Sequence, residues 1–226
     1  MSISRILASS VCIALLLGTG AAAAAGCPDL GMKQDPAPPS SLLPGSYFEY
    51  RARSYLKHDE LAAALGMYKL AAYWGNKYAQ YNIGILFFFG GKSIAPDRPR
   101  AAAWLRMAAG SQQPGMADTF QKVSQSLTPA EHAQADAVWN ELQAKYAGTL
   151  TRQRAITRYQ TERRNVTGSR VGFVGSLTLC LPDGSDVDGY TYYKQMDKVF
   201  ETYVDTMFGH ATVGPLVPIS EPALKK

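Results

Sequence analysis

Three histidines follow the first 25 residues, His58, His132 and His210, and they are the natural starting point for metal or acid–base chemistry. They stand in separate contexts. None has a partner at the H-x-x-x-H spacing that sets two imidazoles on one helix face. Gly90-Gly91-Lys92-Ser93 has the ending of a phosphate-binding loop. That loop needs a glycine five places before Gly91, where Leu86 stands, and a strand in front of it. Asp183, Asp186 and Asp188 space their carboxylates like the opening of a calcium loop, but no glutamate follows at the closing distance, so they read as a solvated turn. No serine occupies a G-x-S-x-G elbow. Asn165-Val166-Thr167 is a glycosylation acceptor only in a eukaryotic source. The residues therefore predict no catalytic, metal or cofactor-binding site, and a protein that is not an enzyme.

Covalent chemistry is left to cysteine. Residues 1–25 carry one charge, Arg5, then an apolar run from Ile6 to Leu17, glycines at 18 and 20, and five alanines ending at Ala25. Those are the three parts of a secretory signal peptide. The run is short of the ~20 residues that span a bilayer. Export to the periplasm or beyond the cell is expected, and Cys12 would leave with the signal. Cys27 and Cys180 then remain as a pair in an oxidising compartment. One disulfide between them would close a long loop and stabilise the fold by ~3–5 kcal/mol. Cys27 has a second reading. Ala24-Ala25-Gly26-Cys27 resembles a bacterial lipobox with alanine at the usual leucine position, which would make the chain an outer-membrane lipoprotein anchored through Cys27. Removing Arg5 changes the count of 23 basic against 18 acidic residues to 22 against 18. So mild a balance does not call for nucleic acid, and membrane contact is expected only if Cys27 is lipidated.

The elements behind these residues are helical. Residues 26–44 form a proline-rich linker, with Pro28, Pro36, Pro38, Pro39 and Pro44. Leu61, Ala64, Leu65, Tyr68, Ala71 and Ala72 then recur at helical steps, and Gly75-Asn76 stops them. Ala79, Ile83 and Phe87 mark the next helix, ended by Gly90 and Gly91. Asp97 is placed to cap a third, with Ala101, Trp104, Leu105 and Ala108 inward and Gly110 at its end. Met67-Tyr-Lys-Leu-Ala-Ala72 lies 37 residues before Trp104-Leu-Arg-Met-Ala-Ala109. A helix-pair repeat of that period predicts stacked hairpins. A degenerate third hairpin follows, from Met116 to Ser126 and then from the capping box Thr128-Pro129-Ala130-Glu131 through Ala133, Ala137, Val138, Leu142 and Tyr146 to Gly148.

The stretch from Ala79 to Gly91 with the one from Ile94 to Ala109 resembles the Sel-one-like repeat, a relative of the tetratricopeptide repeat. Ala79, Ile83, Gly84, Phe87 and Gly90 match the first half of that pattern. Ile94, Asp97, Ala101, Trp104, Ala108 and Ala109 match the second. One extra residue sits at the corner from Phe89 to Gly91, and Ser93 replaces the second turn glycine. The resemblance implies a mainly α fold, a short α-solenoid of antiparallel hairpins over residues 45–148, with a small α+β addition. It also implies an exported scaffold that binds a protein or peptide through its groove. Some exported members are linked to β-lactam binding or hydrolysis, which is the enzymatic alternative. Gln80, Asn82 and Phe88 lie off the Ala79–Ile83–Phe87 packing line and are candidate partner contacts, together with Phe89.

Residues 149–170 are rich in arginine and read as a solvated connector helix with a thin apolar side, Ile156 and Tyr159. Residues 171–213 form a small module. One or two short strands fall between Arg170 and Gly184, and a last helix from Tyr190 to Phe208 docks through Tyr193, Met196, Phe200, Tyr203 and Met207. Residues 214–226 are a tail.

Overall fold

The computed structural model describes residues 37–111, 113, 115–166, 177–181 and 184–209. The expected signal peptide, Cys27, most of the linker, the tail and part of the 171–213 module lie outside these residues. The described chain is mainly helical, with eight helices and one two-stranded sheet. Helices α1 (Pro44–Lys57), α2 (Leu61–Tyr73), α3 (Lys77–Phe89), α4 (Arg98–Ala109), α5 (Met116–Gln125) and α6 (Pro129–Tyr146) follow each other on short links; α1 packs on α2, α2 on α3 and α3 on α4, and α5 and α6 both pack on α4. Helices α7 (Gly148–Asn165) and α8 (Gly189–Phe208) flank the strands β1 (Thr178–Cys180) and β2 (Asp186–Asp188) in chain order.

Local signals set the helix starts. Asn76 accepts from Ala79 N–H at 2.8 Å, Asp97 from Arg100 N–H at 2.9 Å, and Asp188 from Thr191 N–H at 2.9 Å. Thr128 and Glu131 close a reciprocal capping box ahead of α6. Pro44, read as linker, is instead the first residue of α1, where a missing N–H costs nothing.

Small residues let α3 and α4 approach each other antiparallel. Lys77 at one end of α3 reaches Met107, and Phe87 at the other lies beside Asp97. Between them a Cβ on Gly84 would stand 2.7 Å from Leu105 Cγ, so only glycine fits. Helix α4 is the centre. Ala101, Ala102, Ala103, Trp104, Leu105, Met107 and Ala108 are all buried, because α3, α5 and α6 surround it. The 37-residue match shows what neighbours do. Ala64, Tyr68 and Ala71 on α2 are as buried as Ala101, Leu105 and Ala108 on α4. Leu70, which matches buried Met107, is 42% exposed, since α2 packs mainly on α1 and α3 and only grazes α6, whereas α4 packs closely on three helices.

Four expectations need correction. Helix α6 packs through Ala135, Trp139, Leu142 and Tyr146, with the Tyr146 ring edge-on to Trp104 at 4.8 Å; Ala133 and Ala137 face out. Gly148 starts α7 rather than merely ending α6. Helix α7 is no solvated connector: Thr151, Ala155 and Tyr159, at four-residue steps, are buried. Part of the acidic stretch, read as a turn, is β2, which pairs antiparallel with β1 so that Cys180 faces Asp186 across the ladder. Cys180 is disulfide-bonded, and Cys27, its expected partner, lies outside the described residues. No helix among the described residues is long and apolar enough to cross a membrane.

Candidate interaction surface

The corner that follows α3 is where chain geometry and surface chemistry coincide. Gly90 has φ +68°, and a Cβ there would stand 2.7 Å from the Pro96 ring and 2.9 Å from the Ile94 carbonyl. Gly91 and Ile94 exchange backbone bonds of 2.8 and 3.2 Å, so Lys92 and Ser93 form the tip of a tight turn. A Cβ on Gly91 would meet Leu61 at 2.3 Å, which seats the turn against α2. Asp97 N–H then donates to the Phe87 carbonyl at 2.7 Å, closing the corner onto the last turn of α3. This is a braced turn, and it fixes three phenylalanines in different settings.

Phe87 is buried, with Arg100 and Lys69 over its ring at 5.2 and 5.9 Å. Phe88 is half-buried and packs between the cluster around Trp104 and the cluster around Leu105. Phe89 is 72% exposed and touches Phe88 edge-on at 5.1 Å. No other large apolar side chain among the described residues is as exposed. Beside it Lys92 pairs with Asp59 at 2.9 Å, both in solvent, where water and salt screen the pair.

The four candidate contacts therefore separate. Phe89 is free to meet a partner, Phe88 supports it from below, and Asn82 is half-buried on α3. Gln80 is a correction. It is fully buried, because Lys77 turns inward one helical turn earlier and donates to the Gln80 side-chain oxygen at 3.1 Å. The Gln80 amide nitrogen is left without a hydrogen-bond partner. Ala79, Ile83, Gly84, Ala101, Trp104 and Ala108 are all core, and Ala109 is half-buried at the end of α4. Gly90 and Asp97 form the corner.

The sequence carried no sign of buried Lys77. Its ammonium donates to the Met107 carbonyl at 2.9 Å, in the last turn of α4, where a cation meets the negative end of the helix dipole. Burial lowers its pKa to about 8. Arg154 of α7 does the same at two other helix ends. Its guanidinium lies 3.6 Å from the Tyr73 ring centre and donates to the Tyr73 carbonyl, and it reaches the Lys145 carbonyl at 3.4 Å. Arg106 stacks on Trp139 at 4.0 Å and pairs with Asp136 at 2.9 Å. These contacts span elements far apart in the chain, which is why periodicity did not show them.

A shallow cavity of about 90 Å³ opens between α4, α5 and α6, with Ala102, Ala103 and Ala135 below and Arg106, His132 and Asp136 at its mouth. It is well under the ~300 Å³ of ordinary small-molecule sites. Among the described residues, no group of three His, Cys, Asp or Glu side chains is placed to hold a metal ion. No family model, curated protein or solved structure matches the chain.

Proposed function

We propose that this chain is an exported, non-enzymatic scaffold of the cell envelope that binds a protein or peptide partner, with the corner after α3 as part of its contact surface. The observation that carries the reading is Phe89. It is an aromatic side chain 72% exposed on a turn braced by glycines and backbone bonds, so its exposure is not a consequence of a loose loop. Rigid aromatic anchors of this kind dominate protein interfaces. The Sel-one-like reading supports it. Helices α1–α2 and α3–α4 would be two hairpins of a short tetratricopeptide-like solenoid, and α5 and α6 would close it by packing on α4. With Cys27 as the expected partner, the disulfide at Cys180 fits the soluble form rather than the lipoprotein, because lipidation would consume the Cys27 thiol.

The test is photo-crosslinking from a benzophenone amino acid placed at position 89 in living cells, with position 141 on the exposed side of α6 as control. A discrete protein adduct from 89 and none from 141 is expected. Equal adducts from both positions, or none from either, would overturn the assignment.

A further inference from the structure

Helix α6 engages three neighbouring residues of α4. Trp104 takes the Tyr146 ring edge-on at 4.8 Å. Arg106 lies over the Trp139 ring at 4.0 Å and pairs with Asp136 at 2.9 Å. The Met107 sulfur accepts from the Gln143 side-chain amide at 3.4 Å. Moved back by the 37 residues that separate the two matched stretches, these positions become Met67, Lys69 and Leu70 on α2. Helix α2 packs mainly on α1 and α3, and α6 only grazes it. Met67 is half-buried, Lys69 is exposed and Leu70 is 42% exposed. Gly66 beside them matches buried Ala103, yet a Cβ there would meet nothing within 4 Å. Much of the face that α6 covers on α4 is therefore open on α2.

The open face has a basic border. Lys69 stands one helical turn before Tyr73. Lys145, at the end of α6, lies 5.8 Å from the Tyr73 ring centre, and Arg154 of α7 lies 3.6 Å from it. Among the described residues, none of these three cations pairs with a carboxylate. On α4 the matching cation, Arg106, has Asp136. A leucine bordered by cations without acids is complementary to an acidic ligand with an apolar side. We propose that this face of α2 receives an acidic amphipathic helix of a partner protein, seated as α6 is seated on α4. An aromatic side chain of that helix lies on Lys69, its carboxylates meet Lys69, Lys145 and Arg154, and its apolar side covers Leu70 and Met67. Helix α6 itself shows the pattern that fits. Asp136, Trp139, Gln143 and Tyr146 fall at steps of three and four, and residues 129–146 carry Glu131, Asp136 and Glu141 against Lys145. This seat goes beyond the corner after α3 and does not depend on Phe89.

A labelled synthetic peptide with the sequence of residues 129–146 is the probe, stapled into a helix across positions 133 and 137, which face out on α6. Its fluorescence anisotropy is followed as the purified protein is added. Saturable binding is expected, and it should weaken with added salt. Lys69→Glu and Leu70→Asp should each weaken it at least about tenfold. Both positions are exposed, so both variants should keep the wild-type far-ultraviolet spectrum. A peptide carrying Asp136→Lys should bind wild type poorly and bind the Lys69→Glu protein better than the unaltered peptide does. No saturable binding would overturn the proposal. So would binding that neither variant weakens, which is the result expected if the peptide merely displaced α6 from α4. Self-association of the wild type that Leu70→Asp abolishes would give the face to a second copy and overturn the partner helix. Binding to anionic phospholipid vesicles that Lys69→Glu abolishes, with the peptide left free, would give it to a lipid surface and overturn it equally.

Discussion

Leu105 on α4 and Tyr159 on α7 are both hidden from water, but by different means. Leu105 is enclosed by shape. Gly84 lets α3 approach it, and Ala102, Val123, Leu127 and Ala135 fill the space around it. Tyr159 is enclosed by partners. It stacks on Phe200 at 3.9 Å with the rings 3° apart, and its hydroxyl donates to Asp197 at 2.6 Å. Arg163 holds the same carboxylate through two bonds of 2.9 and 3.1 Å. Burial and the bond to Asp197 push the Tyr159 phenol far above its ordinary range. For Asp197, burial pulls upward, but the bonds from Arg163 and Tyr159 outweigh it and hold the carboxyl low. The central helices are thus a packing problem solved with alanine and glycine. The α7–α8 module is a set of directed contacts on a thin core. A region held by few directed contacts opens independently of one held by close packing.

The sharpest way to break this contrast is Leu105→Ala. It should cost about 2–5 kcal/mol and lower the midpoint of global unfolding, measured by urea titration with a far-ultraviolet signal, because α4 has neighbours on every side.

The next effect belongs to Lys77. Its folded pKa of about 8 lies below the unfolded value near 10.5, so above pH 8 the unfolded chain binds the extra proton. Stability should therefore be flat below pH 8 and rise by roughly 2 kcal/mol between pH 8 and 10. Above pH 10 the buried tyrosines reverse the slope. Burial raises Tyr68 to about 12 and Tyr203 higher still, so the unfolded chain loses those protons first. Lys77→Met should abolish the rise and keep the fall, read from denaturation curves at stepped pH.

Asp197→Ala should come third. It leaves Tyr159 and Arg163 without their shared acceptor and should cost about 1–3 kcal/mol. That loss should appear as faster amide exchange in α7 and α8 with little change in α4. A uniform loss across the molecule would merge the two regions into one cooperative unit.

How much of this was legible follows the same division. Asp97, Thr128 with Glu131, Gly90 and Gly110 act within a few residues of themselves, so their roles could be read from spacing. The inward line Ala79–Ile83–Phe87 was legible for the same reason, since a helix face is a local property. Gln80 was not, because its burial depends on Lys77 reaching a carbonyl 30 residues away on α4. Trp139 and Ala135 were passed over because alanines lie on both sides of α6 and blur its face. The docking of α7 was hidden by its arginines. Arg154 and Arg163 look solvated in sequence, yet one covers two helix ends and the other grips Asp197. Strand β2 was masked by its aspartates, which flank a single Val187. Of the candidate contacts, sequence alone left Phe88 and Phe89 equal, and only burial separates them.

Phe89→Ala probes that separation and should have the smallest effect on the fold. The decisive measurement pairs its unfolding curve with its recovery of the protein crosslinked from position 89. The account predicts stability within about 0.5 kcal/mol of wild type and at least a tenfold loss of that partner's binding. A cost above about 1 kcal/mol, or undiminished binding, would place Phe89 with the fold and contradict its role as an anchor.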